Sequence, residues 1–193
     1  MEKIFPGSVL LPIPNRIKDV RQWIEAVDPG LLILSNGNDW GTAPYRDALE
    51  TSLVDFAAKK SIPTLFVCRG LQVLSALQGN RLEADIAKVT NENHVAAMHD
   101  VKISGGFFRK LAGGDVVTVN SYHNQGVLVS ELRGESGLMP FAWTDGGILE
   151  GCVHVRHPFL ALQWHPERGG GNTELDLRLI TLLVEEGAFW NNE

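Results

Sequence analysis

The chain has 193 residues, 44% apolar and 21% charged, the proportions of a folded globular protein, which excludes a disordered one. A chain of this length holds a core without disulfides or metal, and one domain over residues 1–193 is expected. Its 17 Lys and Arg residues against 23 Asp and Glu leave a formal charge of −6, so nucleic acid is disfavoured as the principal partner.

From the start, Met1–Gly7 lacks the basic segment and apolar stretch of a secretory leader. Val9-Leu10-Leu11, closed by Pro12 and Pro14, reads as a short buried strand. Asn15 is placed to cap a helix running to Val27, with Ile17, Val20, Ile24 and Val27 on one face. Asp28-Pro29-Gly30 stops it, and Leu31–Leu34 is the next strand. The polar loop Ser35–Asp39 leads to a helix over 46–60 that buries Leu49, Leu53, Phe56 and Ala57. Ile62–Val67 is a third strand, followed by a helix over 71–77.

The second half changes character. Short apolar runs at 101–103, 116–119, 126–129, 148–149 and 159–162 are separated by glycines and charged turns. A last helix over 173–186 carries Leu175, Leu179, Leu182 and Leu183. Continuously apolar strands joined by amphipathic helices predict an α/β sheet covered on both faces, with antiparallel strands appended. No apolar run reaches the ~18–20 residues of a membrane span, and two cysteines make no disulfide framework. A reducing cytoplasm is the expected compartment, with no membrane partner.

Cys68 lies between the third strand and the next helix, the position of a nucleophile elbow. There a helix N-terminus favours thiolate, and the N–H of Arg69 can face an oxyanion. A thiolate nucleophile needs an imidazole to move its proton and a third group to orient the ring. His165 sits just beyond the 159–162 strand, and Glu167 follows across Pro166. Taken singly these are ordinary features: a cysteine ending a core strand, and a surface His–Glu pair.

Together, Cys68-Arg69-Gly70-Leu71-Gln72, Val119-Asn120-Ser121-Tyr122-His123-Asn124-Gln125 and Gln163-Trp164-His165-Pro166-Glu167 resemble three ordered signatures of one family. It is the γ-glutamyl hydrolase-like branch of the class I glutamine amidotransferases. Asn36-Gly37-Asn38-Asp39 and Arg46-Asp47…Glu50 resemble it too, so the match spans roughly residues 8–170. The resemblance implies a flavodoxin-like α/β fold, a mostly parallel sheet with helices on both faces and additional antiparallel strands. It implies Cys68 as nucleophile, His165 as acid/base and Glu167 as orienter. It further implies an oxyanion hole from the Gly37 and Arg69 amides, and a glutamyl site at Gln72, Asn120, Ser121, Tyr122 and His123. Two departures stand out. Asn36 replaces the first of the family's paired glycines, and the strand–helix unit that usually precedes the Val9–Leu11 segment is missing.

Within the branch, the segments around Glu92–Val101, Asn120–Asn124 and Trp164–Arg168 look most like bacterial γ-glutamyl-CDP-amidate hydrolases. The implied reaction is release of glutamate from a small γ-glutamyl amide. The alternatives are a γ-glutamyl-GABA-type hydrolase, a glutaminase subunit passing ammonia to a separate synthetase, and a non-catalytic binding protein. For a nucleotide leaving group, Arg46 and Arg168 are candidate phosphate cations and Trp40 and Tyr45 candidate stacking faces. His94/His99 and His154/His157 have metal-like spacings, but no carboxylate or thiolate in the sequence nearby completes a ligand set. No metal and no cofactor is expected; the partner is the small-molecule substrate, and a homodimer is left open.

Overall fold

The computed structural model describes residues 5–191. In chain order it contains α1 (Val20–Val27), β1 (Leu32–Leu34), α2 (Pro44–Lys60), β2 (Thr64–Val67), α3 (Arg69–Leu77) and α4 (Ile86–Thr90). Then come β3 (Ala97–Ile103), α5 (Gly106–Ala112), β4 (Val116–Ser121), β5 (Leu138–Trp143), β6 (Leu149–His154), β7 (Phe159–Leu162) and α6 (Thr173–Glu186).

The strands form one seven-stranded sheet in the order β1-β2-β7-β6-β5-β3-β4. β1, β2 and β7 are mutually parallel, and every pairing from β7 to β4 is antiparallel. The sheet is therefore α/β and mixed, its parallel part being three strands wide. Alternate residues divide the core. Leu65, Val67, Leu160 and Leu162 face a layer built on Leu175, Leu179 and Leu183 of α6 and Phe108 of α5. Phe66, Phe159 and Ala161 face the opposite layer, with Leu49, Leu53 and Phe56 of α2 and Leu71 and Leu74 of α3.

Three expectations need correction. Val9–Leu11 forms no strand; the three side chains are 77%, 66% and 51% exposed, and β1 is left as the sheet's edge. Among the described residues no strand pairs with the outer side of β1. A cavity of about 1050 Å³ separates this segment from β1 and α2. The first helix starts at Val20, because residues 14–17 are held in a turn by the Ile17 N–H on the Pro14 carbonyl (3.1 Å). Asp19, not Asn15, is its cap, accepting from the Gln22 N–H at 3.0 Å. The 126–129 run is tied only by single bridges, Gly126 to Glu83 and Leu128 to Ile148.

The sequence reading missed β5 because Pro140 interrupts its pattern; the pairing with β6 shifts register directly after that proline, which has no N–H to give. It also missed α4 and α5, which at 5 and 7 residues are too short to show a period.

Candidate active site

β2 delivers Cys68 and α3 starts at the next residue. The Cys68 N–H donates to the Leu162 carbonyl at 2.7 Å, which continues the β2–β7 ladder to the cysteine itself. Its backbone then turns to φ 51° and ψ −101°, outside the region where a side-chain-bearing residue is comfortable. A Cβ on Gly70 would press into the Leu34 carbonyl oxygen, so the first turn of α3 approaches β1 as only glycine allows. Strain and close approach together are the elbow that the sequence predicted.

The thiol departs from expectation in two ways. Cys68 is 7% exposed and packs with Val67, Leu162 and Trp164. Burial pushes its pKa up to about 11, against the pull of the Arg69 N–H, and the charges of Glu150 and Glu167 push it further. Desolvation wins over the helix N-terminus here. The resting group is a thiol with an amide N–H aimed at its sulfur.

β7 lies beside β2, pairing Leu162 with Val67, so the chain beyond β7 reaches the same sheet end as Cys68. His165 is 1% exposed. Its Nδ1 donates to Glu167 Oε1 at 2.7 Å, and its Nε2 is buried without a hydrogen-bond partner. In the neutral ring that bond puts the hydrogen on Nδ1 and leaves the lone pair on Nε2. Burial works against the Glu167 charge, but the His165 bond and the N–H of Glu167 hold its carboxyl below the usual range. Trp164 anchors the segment from below, its Nε1 donating to Asp176 at 2.7 Å.

The proposed glutamyl site divides. Asn120 is 1% exposed and its amide is fully engaged with the His165 segment: Oδ1 accepts from the His165 N–H (2.9 Å), and Nδ2 donates to the carbonyls of His165 (3.0 Å) and Arg168 (3.3 Å). Ser121 is fully buried and donates to the His94 carbonyl at 2.9 Å. His123 is buried and faces inward. The Asn120 and Ser121 side chains and His123 Nδ1 are thus engaged within the protein. Tyr122 is 44% exposed, its ring centroid 5.5 Å from that of His165 and perpendicular to it, with the Arg168 guanidinium 4.3 Å above its face. Gln72 is buried in α3 and donates to the Gln125 carbonyl at 3.0 Å.

The loop that carries Gly37 rests on an ion cluster. Arg46 donates to the carbonyls of Ser35 (2.8 Å) and Asn36 (2.9 Å), and its Nε to Glu50 (2.7 Å). A Cβ on Gly37 would strike the Arg46 guanidinium. Arg69, 1% exposed, bridges Glu50 and Asp47, the latter at 2.6 Å. Sequence reading used only the Arg69 amide; its side chain is a second element of the site. Arg46 is correspondingly not a free phosphate cation. Trp40 lies 5.9 Å from the Arg69 guanidinium, and the exposed Tyr45 sits under Arg16.

A further group lies behind Asn120–His123. Glu150 of β6 is fully buried, with Oε1 3.5 Å from His94 Nδ1, 3.4 Å from His123 Nε2 and 3.5 Å from His99 Nε2. Burial opposes its charge, but His123, His94 and His99 outweigh it and draw its pKa far down. A carboxylate that meets His94, His99 and His123 together is thus supplied by a strand more than fifty positions beyond His94, which spacing alone could not reveal. His154 and His157 are close to each other, but the His154 Nδ1 accepts from the Arg156 N–H at 3.0 Å and no carboxylate joins them.

Several known proteins are similar. A γ-glutamyl-γ-aminobutyrate hydrolase, PuuD of Escherichia coli strain K12, is 31% identical over 147 residues, covering 68% of this chain and 56% of that one. The protein NtpR of Enterococcus hirae is 29% identical over 203 residues, covering 92% and 82%. The chain spans about half the length of some curated relatives, 49% in one and 56% in the hydrolase. Among solved structures, the glutaminase domain of Trypanosoma brucei CTPS with bound acivicin superposes with a TM-score of 0.69 at 17% identity, covering 93% of this chain and 82% of that one. This likeness supports the flavodoxin-like α/β fold. Residues 3–167 match the model of the peptidase C26 family, and with the elbow, the His165–Glu167 pair and the fold in place, the chain belongs to that family.

Proposed function

We propose that the chain hydrolyses the γ-glutamyl amide bond of a small molecule and releases glutamate. The observation that carries this is the His165 ring, held by Glu167 at Nδ1 and presenting an unpartnered Nε2 at the sheet end where Cys68 sits. As the sulfur attacks the amide carbonyl, its proton passes to His165 Nε2, so a thiol with a raised pKa still reacts. The carbonyl oxygen becomes an oxyanion beside the Arg69 N–H and the Gly37 loop. The C–N bond breaks, the amine takes the proton from His165, and a thioester remains. Water then attacks, giving its proton to His165, which returns it to sulfur as glutamate leaves.

The finer reading concerns the leaving amine. Arg168, stacked on Tyr122 beside His165, is the exposed cation at the acid/base end, which supports an amine bearing an anionic group. The γ-aminobutyrate for which the hydrolase PuuD is named and a nucleotide phosphoramidate both satisfy this. Engagement of Arg46 removes one of the two cations on which the nucleotide reading relied. We therefore place the carboxylate-bearing amine first and γ-glutamyl-CDP-amidate second.

The test is glutamate release from γ-glutamyl-GABA, γ-glutamyl-CDP-amidate, an uncharged γ-glutamyl anilide and free glutamine. Expected is the highest kcat/KM on one anionic substrate, with Arg168→Ala raising KM for it about 10-fold and leaving the anilide unaffected. Comparable efficiency on glutamine would assign the chain to ammonia-supplying glutaminases. No turnover of any amide by protein with intact Cys68 would leave a binding role.

A further inference from the structure

We propose that His94, His123 and Glu150 form a binding site for one divalent transition metal of the zinc type, with His99 beside it against Glu150. The argument begins with protons. His123 Nδ1 lies 2.9 Å from the Gln125 carbonyl, which can only accept, so Nδ1 carries a hydrogen and the neutral ring has its lone pair on Nε2. His94 Nε2 faces the Glu92 carboxylate at 3.3 Å, so that nitrogen carries the hydrogen and Nδ1 a lone pair. Glu92 is itself fixed as an acceptor by the Thr144 hydroxyl (2.6 Å) and the Gly146 N–H (2.8 Å).

The two lone pairs then meet each other and a carboxylate. His94 Nδ1 and His123 Nε2 are 3.3 Å apart, and each lies 3.5 and 3.4 Å respectively from Glu150 Oε1. With both rings neutral, three buried acceptors meet; the nearby Ser121 hydroxyl, 3.4 Å from His94 Nδ1, is already donated to the His94 carbonyl, so the three repel unless a cation sits among them. Both Glu150 oxygens are fully buried and lack any hydrogen-bond donor. Four ligands at 2.0–2.1 Å around zinc stand roughly 3.3–3.4 Å apart, which is the edge length of this triangle.

The surroundings fit the same reading. The second nitrogen of each ligating histidine is held by a carboxylate or a backbone carbonyl, the arrangement that orients metal-bound imidazoles. His99 Nε2 is 3.5 Å from the same Glu150 oxygen, and neither of its ring nitrogens has a partner. A divalent ion between Glu150 and the nearby Glu92 balances both negative charges. The group supplies no atom to the Cys68 reaction proposed above, although the Glu150 charge reaches that thiol, and metal content is read independently of turnover.

The experiment uses the full chain, purified without a histidine tag or chelator. Metal content is measured by mass spectrometry after gel filtration, and metal-stripped protein is titrated with cobalt(II). Expected is about one transition-metal ion per chain, and tetrahedral cobalt bands that saturate at one equivalent. The bands should vanish in His123→Gln and Glu150→Gln, persist in Cys68→Ser, and zinc should raise the Tm of stripped wild-type protein only. If those two variants do not fold, His99→Gln, which alters a partly exposed ring, is expected to shift the cobalt spectrum. Wild-type protein without bound metal, cobalt bands or a zinc-dependent Tm would overturn the site and leave a protonated histidine as the partner of Glu150. Loss of the bands in Cys68→Ser would equally overturn it by moving the metal to the thiol.

Discussion

Asn120 clamps the backbone of His165 from both sides, accepting from its N–H at 2.9 Å and donating to its carbonyl at 3.0 Å. The acid/base ring is thereby fixed to β4 as well as to β7 and the Glu167 turn. Orientation of a catalytic group can be worth orders of magnitude in rate. Asn120→Ala is expected to lower kcat about 100-fold with little change in KM. A change confined to KM would restore Asn120 to substrate binding.

Cys68→Ser or Cys68→Ala is expected to abolish turnover while the fold persists, since both side chains are close to cysteine in size and remove at most one atom from the buried site. Thiol alkylation should be slow at pH 7 and accelerate as pH rises toward 11, where the Cys68 pKa lies. Cys152 is fully buried, with a pKa pushed up to about 12 by burial alone, and should react more slowly. Equal rates would contradict the assignment.

The same shift predicts stability. A folded-state thiol that resists ionisation binds a proton the unfolded chain gives up above its ordinary pKa near 9. Stability should therefore decline as pH rises from 9 toward 11, and less steeply in Cys68→Ala. Urea unfolding at a series of pH values measures this; identical slopes in both proteins would argue against it.

Arg46→Ala is expected to lower kcat on every substrate, the uncharged anilide included, by roughly 10–100-fold, because the loop under Gly37 loses its two carbonyl anchors. Phosphate recognition would instead make the loss specific to a nucleotide substrate. Comparing the two substrates decides between these roles.

Asp176 is buried, which raises its pKa to about 6 despite the bond from Trp164, and Glu167 adds to the rise. Below about pH 4 both states hold the proton and nothing is lost. As pH climbs from 4 to 6, the unfolded chain ionises first, so stability falls, and it stays lower above 6. Asp176→Asn keeps an acceptor for Trp164 and should raise Tm at pH 7 by the equivalent of roughly 2 kcal/mol at most, with no gain at pH 4. An unchanged Tm at both values would refute the shift.

Local signals carried the elements and the chemistry. The runs at 64–67 and 159–162 and the helices at 44–60 and 173–186 are long or apolar enough to read directly, and Cys68, His165 and Glu167 each sit at the end of such a run. What could not be read is what depends on distant pairing. The Glu150 group joins β6 to β3 and the 120–125 segment, and the Arg69 cluster joins α3 to α2. Val9–Leu11 had the composition of a strand but lacks a partner on β1, and propensity alone does not make a ladder.

β7 sits between β2 and β6, and its pairing of Phe159 with Thr64 spans about half the chain. Such a contact closes a long loop and forms late. During synthesis the nucleophile is made long before its base, and the elbow at Cys68 has nothing to hold its Leu162 hydrogen bond until β7 arrives. The sheet centre and the proposed reactive pair are completed in one event, so under the proposed mechanism a partly folded chain would be inactive by construction of its topology.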